Sequence, residues 1–199
     1  LTALGKIQSR IDKVKLIIQD KDVDFYNKHS HLFERLEEPR QRFIDTINLK
    51  MDDGSIKSVK LFLVQHNLAF GPGQGELKFI KHVDLPEGIE NASLAEIKDI
   101  VENIVLEEAE SSAMEKSLYH ALHNVKLGGA SSAIMLIDIE DIEGEIEAIP
   151  IHLTESETIR LAREVGNRLV KYRIMGPDGF WPEPDNETTN EQILNWVED

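Results

Sequence analysis

The sequence contains no cysteine among its 199 residues, which excludes disulfide bonds, thiolate metal sites and cysteine nucleophiles. Aromatic residues make up only 6% of the chain, and no apolar run approaches the roughly 18 residues that a membrane-spanning helix needs. Basic residues are also scarce, because 22 lysines and arginines stand against 37 acidic residues for a net charge of −15. Such an acidic chain repels phosphate backbones, so we expect neither nucleic acid nor a membrane as a partner.

The composition is that of a globular protein, with 41% hydrophobic and 30% charged residues. The N-terminal segment lacks the apolar core of a signal peptide, and the missing cysteines fit a reducing compartment, so we expect a cytoplasmic protein. The chain begins at Leu1 without an initiator Met, which favours a piece of a longer protein.

The first half of the sequence changes from a helical to a strand period. Apolar residues three and four apart predict a helix over residues 2–20, and a second helix over 25–36 should stop before Pro39. Residues 43–64 alternate in polarity around Asp52-Asp53-Gly54-Ser55, which predicts a hairpin. The second strand of this hairpin is apolar on both faces, which predicts an interior position in its sheet.

The second half predicts further strands and helices. A loop at Gly71, Pro72, Gly73 and Gly75 leads into a strand over 77–80, and a long helix starts at Ser93 and is ended by Gly128-Gly129. A buried strand follows over 133–139, and an exposed acidic hairpin covers 138–147. A further helix runs from Thr154 to about Arg173, and a last helix starts at Thr189. The order predicts an α/β domain with a mixed sheet in three layers and flanking helices.

Local motifs predict no resident metal or cofactor. The glycine loop is not G-x-G-x-x-G and leads into a strand, so it lacks the helix N-terminus that binds a phosphate. His120 and His123 share a helix face, but near a helix end such pairs are usually surface or cap residues, and His29 with His31 is no better placed. The acidic hairpin lacks EF-hand spacing, and no Ser has a nucleophile motif.

Several stretches, taken in order, resemble the N-terminal, substrate-binding domain of the glutamate/leucine/phenylalanine/valine dehydrogenase family. They are Leu36 to Phe43, Met51 to Gly54, Val64 to Gly75, Gly128-Gly129-Ala130, Leu153 to Leu161, Gly176-Pro177-Asp178, Pro182 to Asp185 and Thr189 to Trp196. The resemblance covers residues 36–199. It implies one domain over 1–199, with a helical extension over 1–41 and an α/β core over 43–199.

The resemblance also implies the site residues. It places substrate binding at Gln74, Gly75, Tyr119, Gly128 and Gly129. It places catalysis at two further positions, the family aspartate at Asp185 and the catalytic-lysine position at Ser131.

The departures from the family pattern are chemical. Gln74, Tyr119 and Ser131 stand where the family has lysines, and Glu76 stands where it has a glycine. A lost charge-assisted contact costs on the order of 1.5–3 kcal/mol, so losing three should abolish dicarboxylate binding in the family manner. The family's Rossmann domain follows this region, so we expect no cofactor site in this chain, and NAD or NADP only if such a domain follows.

Three functions remain open at this point. The first is a catalytically degenerate domain that acts in oligomer assembly or in regulation of amino-acid metabolism, as a homo-oligomer or with a related dehydrogenase. The second is the substrate domain of an active NAD(P)-dependent amino-acid dehydrogenase, which would use Asp185 with Lys78 or Lys126 on an altered substrate. The third is a sensor that binds a small amino or keto acid without chemistry.

Overall fold

The computed structural model describes residues 2–86, 88–89, 92–174 and 179–184. Within these ranges the chain forms four helices and seven strands. In chain order they are α1 (Ala3–Lys21), α2 (Val23–Glu37), β1 (Gln41–Lys50), β2 (Ile56–Asn67), β3 (Gly73–Ile80), α3 (Leu94–Leu122), β4 (Gly128–Met135), β5 (Ile137–Ile142), β6 (Glu145–Pro150), α4 (Glu155–Lys171) and β7 (Phe180–Pro184). The predicted α/β class is confirmed.

The first two helices form where the sequence predicts them. The Thr2 hydroxyl accepts from the Gly5 N–H at 3.2 Å and starts α1, and the Asp22 carboxylate accepts from the Phe25 N–H at 2.9 Å and starts α2. Helix α1 buries Ile7 and Ile11 against the middle of α3. The helical extension is therefore fastened to the rest of the structure by apolar contacts.

The main sheet is mixed, as predicted, and its five strands run in the order β1-β2-β4-β3-β7. Strands β1 and β2 form the predicted antiparallel hairpin, with Gly54 in the turn at a φ of +87°. Strand β2 also pairs antiparallel with β4, so its predicted interior position is confirmed. Strand β3 lies parallel to both β4 and β7, and β7 forms one edge of the sheet.

Helices cover both faces of this sheet, which gives the predicted layers. One face packs on α4 through a cluster that includes Leu63, Leu77, Ile134, Leu161 and Val165. The other face packs on α3 through the cluster Phe62, Val64, Ile97, Val101, Val105, Ala109, Ala113, Ala133, Met135, Ile137 and Ile139. The candidate site lies on the α3 face.

Two predictions about glycines are wrong. The predicted loop at Gly71 to Gly75 ends earlier, because β3 already begins at Gly73. Gly128-Gly129 does not end the long helix, because α3 stops at Leu122 with His123 as its C-cap, and the two glycines open β4. Gly75 allows the backbones of β3 and β4 to approach closely, because a Cβ at this position would lie 1.5 Å from the Ala130 carbonyl oxygen.

The prediction of one strand over 133–139 is wrong, because β4 ends at Met135 in the main sheet and β5 begins at Ile137 in a separate two-stranded sheet with β6. The acidic hairpin and the helix from Thr154 agree with the structure. Strands β5 and β6 form the acidic hairpin, with Gly144 in its turn. Thr154 and Glu157 form the predicted capping box of α4. The helix predicted from Thr189 lies outside the described residues. Across the described ranges, we find no helix with the length and apolarity needed to cross a bilayer.

Candidate functional site

The site occupies the space between β3 and the second half of α3. Alternate residues of β3 point to the α3 face, and Glu76 and Lys78 are on that face because the Lys78 ammonium reaches α3. A cavity of about 200 Å³ is lined by Glu76, Ser112, Glu115, Lys116 and Tyr119. A larger cavity of about 390 Å³ lies between the start of α1 and α3, but its lining contains none of the predicted site residues.

Lys78 is fully engaged by neighbouring acceptors. Its Nζ lies 2.8 Å from Glu108 Oε1, 2.8 Å from Ser112 Oγ and 3.3 Å from Glu76 Oε2, and its side chain is 15% exposed. Burial is the largest single influence and lowers the pKa of Lys78, but Glu108 and Glu76 together outweigh it and raise that pKa above its ordinary value. Since an ammonium has three N–H donors and three acceptors surround this one, Lys78 has no donor left for a ligand.

Lys116 is a site residue that the sequence reasoning missed. It lines the cavity one helical turn before Tyr119, and its Nζ lies 2.5 Å from Glu183 Oε2 on β7. The i, i+3 spacing to Tyr119 places both side chains on one face of α3, and this spacing is the signal that could have identified Lys116.

The structure separates the predicted site residues. Gln74 and Gly75 lie on β3, and Tyr119 lines the cavity with 56% of its side chain exposed. Ser131 is fully buried in β4, where its Oγ donates to the Glu76 carbonyl oxygen at 3.4 Å. Asp185 lies outside the described residues. Tyr119 and Glu76 therefore meet in the cavity, whereas Ser131 is packed behind it without an amine.

Gly129 lets β4 approach α3 closely, and Gly128 lets it approach the end of β2. A Cβ on Gly129 would lie 2.2 Å from Ser117 Oγ and 2.3 Å from the Ala113 carbonyl oxygen, both on α3. A Cβ on Gly128 would lie 2.3 Å from the Asn67 carbonyl oxygen. Both contacts depend on the absence of a side chain, and Gly129 sets how closely β4 lies to α3.

Two buried histidines connect α3 to neighbouring elements. His66 Nε2 lies 3.1 Å from the Leu36 carbonyl oxygen and must donate to it, so its Nδ1 accepts from Ser117 Oγ at 2.8 Å. Burial lowers the pKa of His66 and keeps the ring neutral, although the Leu36 carbonyl opposes that shift. His120 is also buried, and its Nδ1 donates to the Gly128 carbonyl oxygen at 3.0 Å.

The predicted surface position of His120 is therefore wrong, since the ring holds the start of β4, whereas His123 is the C-cap as expected. Searching the described part of the chain finds no group of three or more His, Cys, Asp or Glu side chains placed to hold a metal ion. Both histidine rings lie beside the Tyr119 ring, at centroid distances of 5.9 Å for His120 and 4.4 Å for His123.

The electrostatics of the site oppose an anionic ligand. The carboxylates of Glu76, Glu108, Glu115 and Glu183 surround the two ammonium groups of Lys78 and Lys116, and both ammonium groups are bound to carboxylates. Lys126, the other lysine considered for an altered active site, is exposed in the turn before β4. Among the residues that the structure describes, the cavity wall thus offers hydroxyl groups and paired charges, but no unpaired ammonium.

Comparisons with known proteins agree on one family. The family model described as "Glu/Leu/Phe/Val dehydrogenase, dimerisation domain" matches residues 39–199. The NAD-specific glutamate dehydrogenase of Clostridioides difficile is 28% identical over 168 residues, and that of Staphylococcus aureus (strain COL) is 26% identical over 168 residues. Each alignment covers 84% of this chain, which spans about a third of the curated relatives' length (31% and 32%).

Solved structures show the same fold. Glutamate dehydrogenase from Peptoniphilus asaccharolyticus superposes with a TM-score of 0.69 at 22% identity, over 100% of this chain and 39% of that one. The hetero-hexameric glutamate dehydrogenase from Thermus thermophilus, in its Leu-bound form, superposes with a TM-score of 0.62 at 19% identity, over 90% of this chain and 36% of that one.

Proposed function

The chain belongs to the Glu/Leu/Phe/Val dehydrogenase family by its dimerisation domain, and from that premise we propose that it is a catalytically degenerate member acting in oligomer assembly or regulation. Residues 1–199 form a single domain in this proposal, with the helical extension over 1–41 and the core over 43–199. NAD or NADP enters only if a Rossmann domain follows in the whole protein.

The loss of usable positive charge in the site supports the degenerate state. Gln74, Tyr119 and Ser131 carry no ammonium group, and Ser131 is fully buried. The lysine nearest to them on β3 is Lys78, which has its three donors bound to Glu108, Ser112 and Glu76. A dicarboxylate that entered the cavity would meet Glu76 and Glu115, and the described lining holds no free cation to offset the repulsion.

Surfaces that remain exposed support a role in assembly. The strand β1 forms an edge of the sheet in the described part of the chain, and an edge strand presents unpaired backbone groups to another chain. Apolar side chains on α1 and α2 are also half exposed, among them Leu16 (65%), Ile17 (54%) and Val23 (53%). The partner is a second copy of this chain or a related dehydrogenase, as in the hetero-hexameric Thermus thermophilus relative.

Isothermal titration of the full-length protein with glutamate and 2-oxoglutarate tests this proposal. NAD(P)H turnover is followed in parallel, sedimentation gives the mass, and the Clostridioides difficile enzyme serves as the positive control. We expect neither binding nor turnover, together with a mass above that of the monomer. Saturable glutamate binding at micromolar to low millimolar concentration would contradict the proposal that the domain is catalytically degenerate. A strictly monomeric protein would contradict the proposed role in assembly.

A further inference from the structure

An ion pair ties the edge strand β7 to α3 beside the cavity. Lys116 lines the cavity, and its Nζ lies 2.5 Å from Glu183 Oε2. The two side chains remain 26% and 29% exposed, so water partly screens the pair. Glu183 therefore occupies the Lys116 ammonium, and the partial exposure of the pair allows another carboxylate to replace Glu183.

Lys116 differs in this respect from Lys78. Lys78 is held by three acceptors and is 15% exposed, whereas the structure describes one carboxylate on Lys116. Lys116 is also the one basic residue in the lining of the cavity, as far as the chain is described. If Glu183 were displaced, the cavity would gain an ammonium group beside the hydroxyl groups of Ser112 and Tyr119.

We propose that Glu183 acts as a built-in carboxylate ligand that occupies Lys116 and closes this cavity to small external carboxylates. The inference rests on the proposed function, because it explains why the cavity binds no carboxylate ligand although Lys116 lies in its wall. It assigns to the cavity a latent site for a small carboxylate, with Lys116 as the charged contact.

The position of Glu183 gives it an advantage over a free ligand. A tethered group competes at an effective concentration that reaches the millimolar range for a short connection, so a micromolar external carboxylate is excluded. Strand β7 lies at the sheet edge and, within the described ranges, pairs with β3 alone. A shift of this strand would withdraw Glu183 without breaking the centre of the sheet.

The test is an NMR titration of the full chain with glutarate as the probe. Glu183→Gln keeps the size of the side chain and removes its charge, so we expect glutarate to bind roughly tenfold or more tightly than to the wild type. Backbone shifts should concentrate at Lys116, Ser112 and Tyr119. Glu183→Ala should show the same gain, and it provides a second folded protein if the Gln variant does not fold.

Two controls separate a specific site from a change in net charge. Glu140→Gln removes one negative charge from the distant β5–β6 hairpin, where Glu140 lies 3.8 Å from Lys57, and it should leave glutarate binding unchanged. The double variant Lys116→Met/Glu183→Gln should lose the gain.

Three results would overturn the role proposed for Glu183. They are an equal gain in glutarate affinity in Glu140→Gln, a gain that persists without Lys116, and no gain in either Glu183 variant. The last result does not contradict the proposed function, provided that the wild type binds neither glutarate nor glutamate. Binding of glutamate or glutarate by the wild type at micromolar concentration would overturn the proposed function itself.

Discussion

The two halves of helix α3 contact the same sheet in different ways. The first half buries Ile97, Val101, Val105 and Ala109 at four-residue spacings against apolar strand residues. The second half buries Ala113 and Met114 together with a group of polar residues, and these are Glu110, Ser111, Ser112, Ser117 and His120. One continuous helix therefore combines an apolar core contact with a polar wall of the candidate site.

The polar half is possible because its buried groups are paired. The Arg42 guanidinium binds Glu110, Ser112 accepts from Lys78, and Ser117 donates to His66. An unpaired buried polar group costs about 1–3 kcal/mol, so these partners offset a penalty that the apolar half never incurs. The comparison suggests that the first half supplies stability, whereas the second half sets the geometry of the site.

Gly129→Ala should have the largest effect, because it disturbs the contact between β4 and the polar half. The new Cβ would lie 2.3 Å from the Ala113 carbonyl oxygen and 2.2 Å from Ser117 Oγ, so the α3 backbone must move. Overpacking of this kind usually costs about 1–3 kcal/mol, and a clash with helix backbone belongs at or above the upper end. Urea unfolding gives the free energy of unfolding.

Ala133→Gly is the matched control, since Ala133 belongs to the apolar cluster against the first half of α3 and lies on the same strand as Gly129. Loss of one buried methyl group with a strand glycine should cost about 1–2 kcal/mol. A Gly129→Ala protein as stable as the wild type would show that the close approach of α3 and β4 is not required.

Val101→Ala should cost less, about 2 kcal/mol, and should leave the site unchanged. Val101 is fully buried in the apolar half, and the change removes two methyl groups and leaves a cavity. Val170→Ala on α4 is the control because Val170 is 63% exposed, and it should stay within about 0.5 kcal/mol of the wild type. Thermal unfolding compares the two, and amide shifts at Lys116 and Tyr119 report on the site. Large shifts there would mean that the halves are not separable.

The sequence predicts the apolar half better than the polar half, for a physical reason. Periodicity reports which residues face a core, so the start of the helix at Ser93 and the hairpin around Gly54 are found within a few residues. Gly128-Gly129 was predicted as a helix end because glycine pairs are common at C-caps. The actual role of Gly129 depends on Ser117 and Ala113, a contact that exists only once α3 lies on β4.

The polar contacts also escape local patterns because they join distant parts of the chain. Lys116 and Glu183 are 67 residues apart, and Arg42 and Glu110 are 68 apart. Neither pair has a spacing that a sequence motif could reveal, so the neutralised state of the site appears only in the structure. The family resemblance, in contrast, predicts from the sequence alone that Gln74, Tyr119 and Ser131 stand at lysine positions of the family.

The smallest expected effect concerns pH and the polar half alone. Burial lowers the pKa of His66 below its ordinary value of about 6.5, because the protonated ring loses its hydration. The unfolded chain therefore binds a proton more readily than the folded one, and the stability contribution of neutral His66 is complete above about pH 6.5 and declines as the pH falls towards the lowered pKa.

His66→Gln should consequently flatten the pH dependence of the unfolding free energy between pH 8 and pH 5, since glutamine offers a donor and an acceptor without titrating. His123→Gln, at the exposed C-cap of α3, is the matched control for replacing a histidine by glutamine. Equal slopes for wild type and His66→Gln would show that the polar half tolerates a charged His66. In that case the link from α2 through His66 to Ser117 would be a packing contact, and the contrast between the two halves of α3 would rest on Gly129 and on the partners of Glu110 and Ser112.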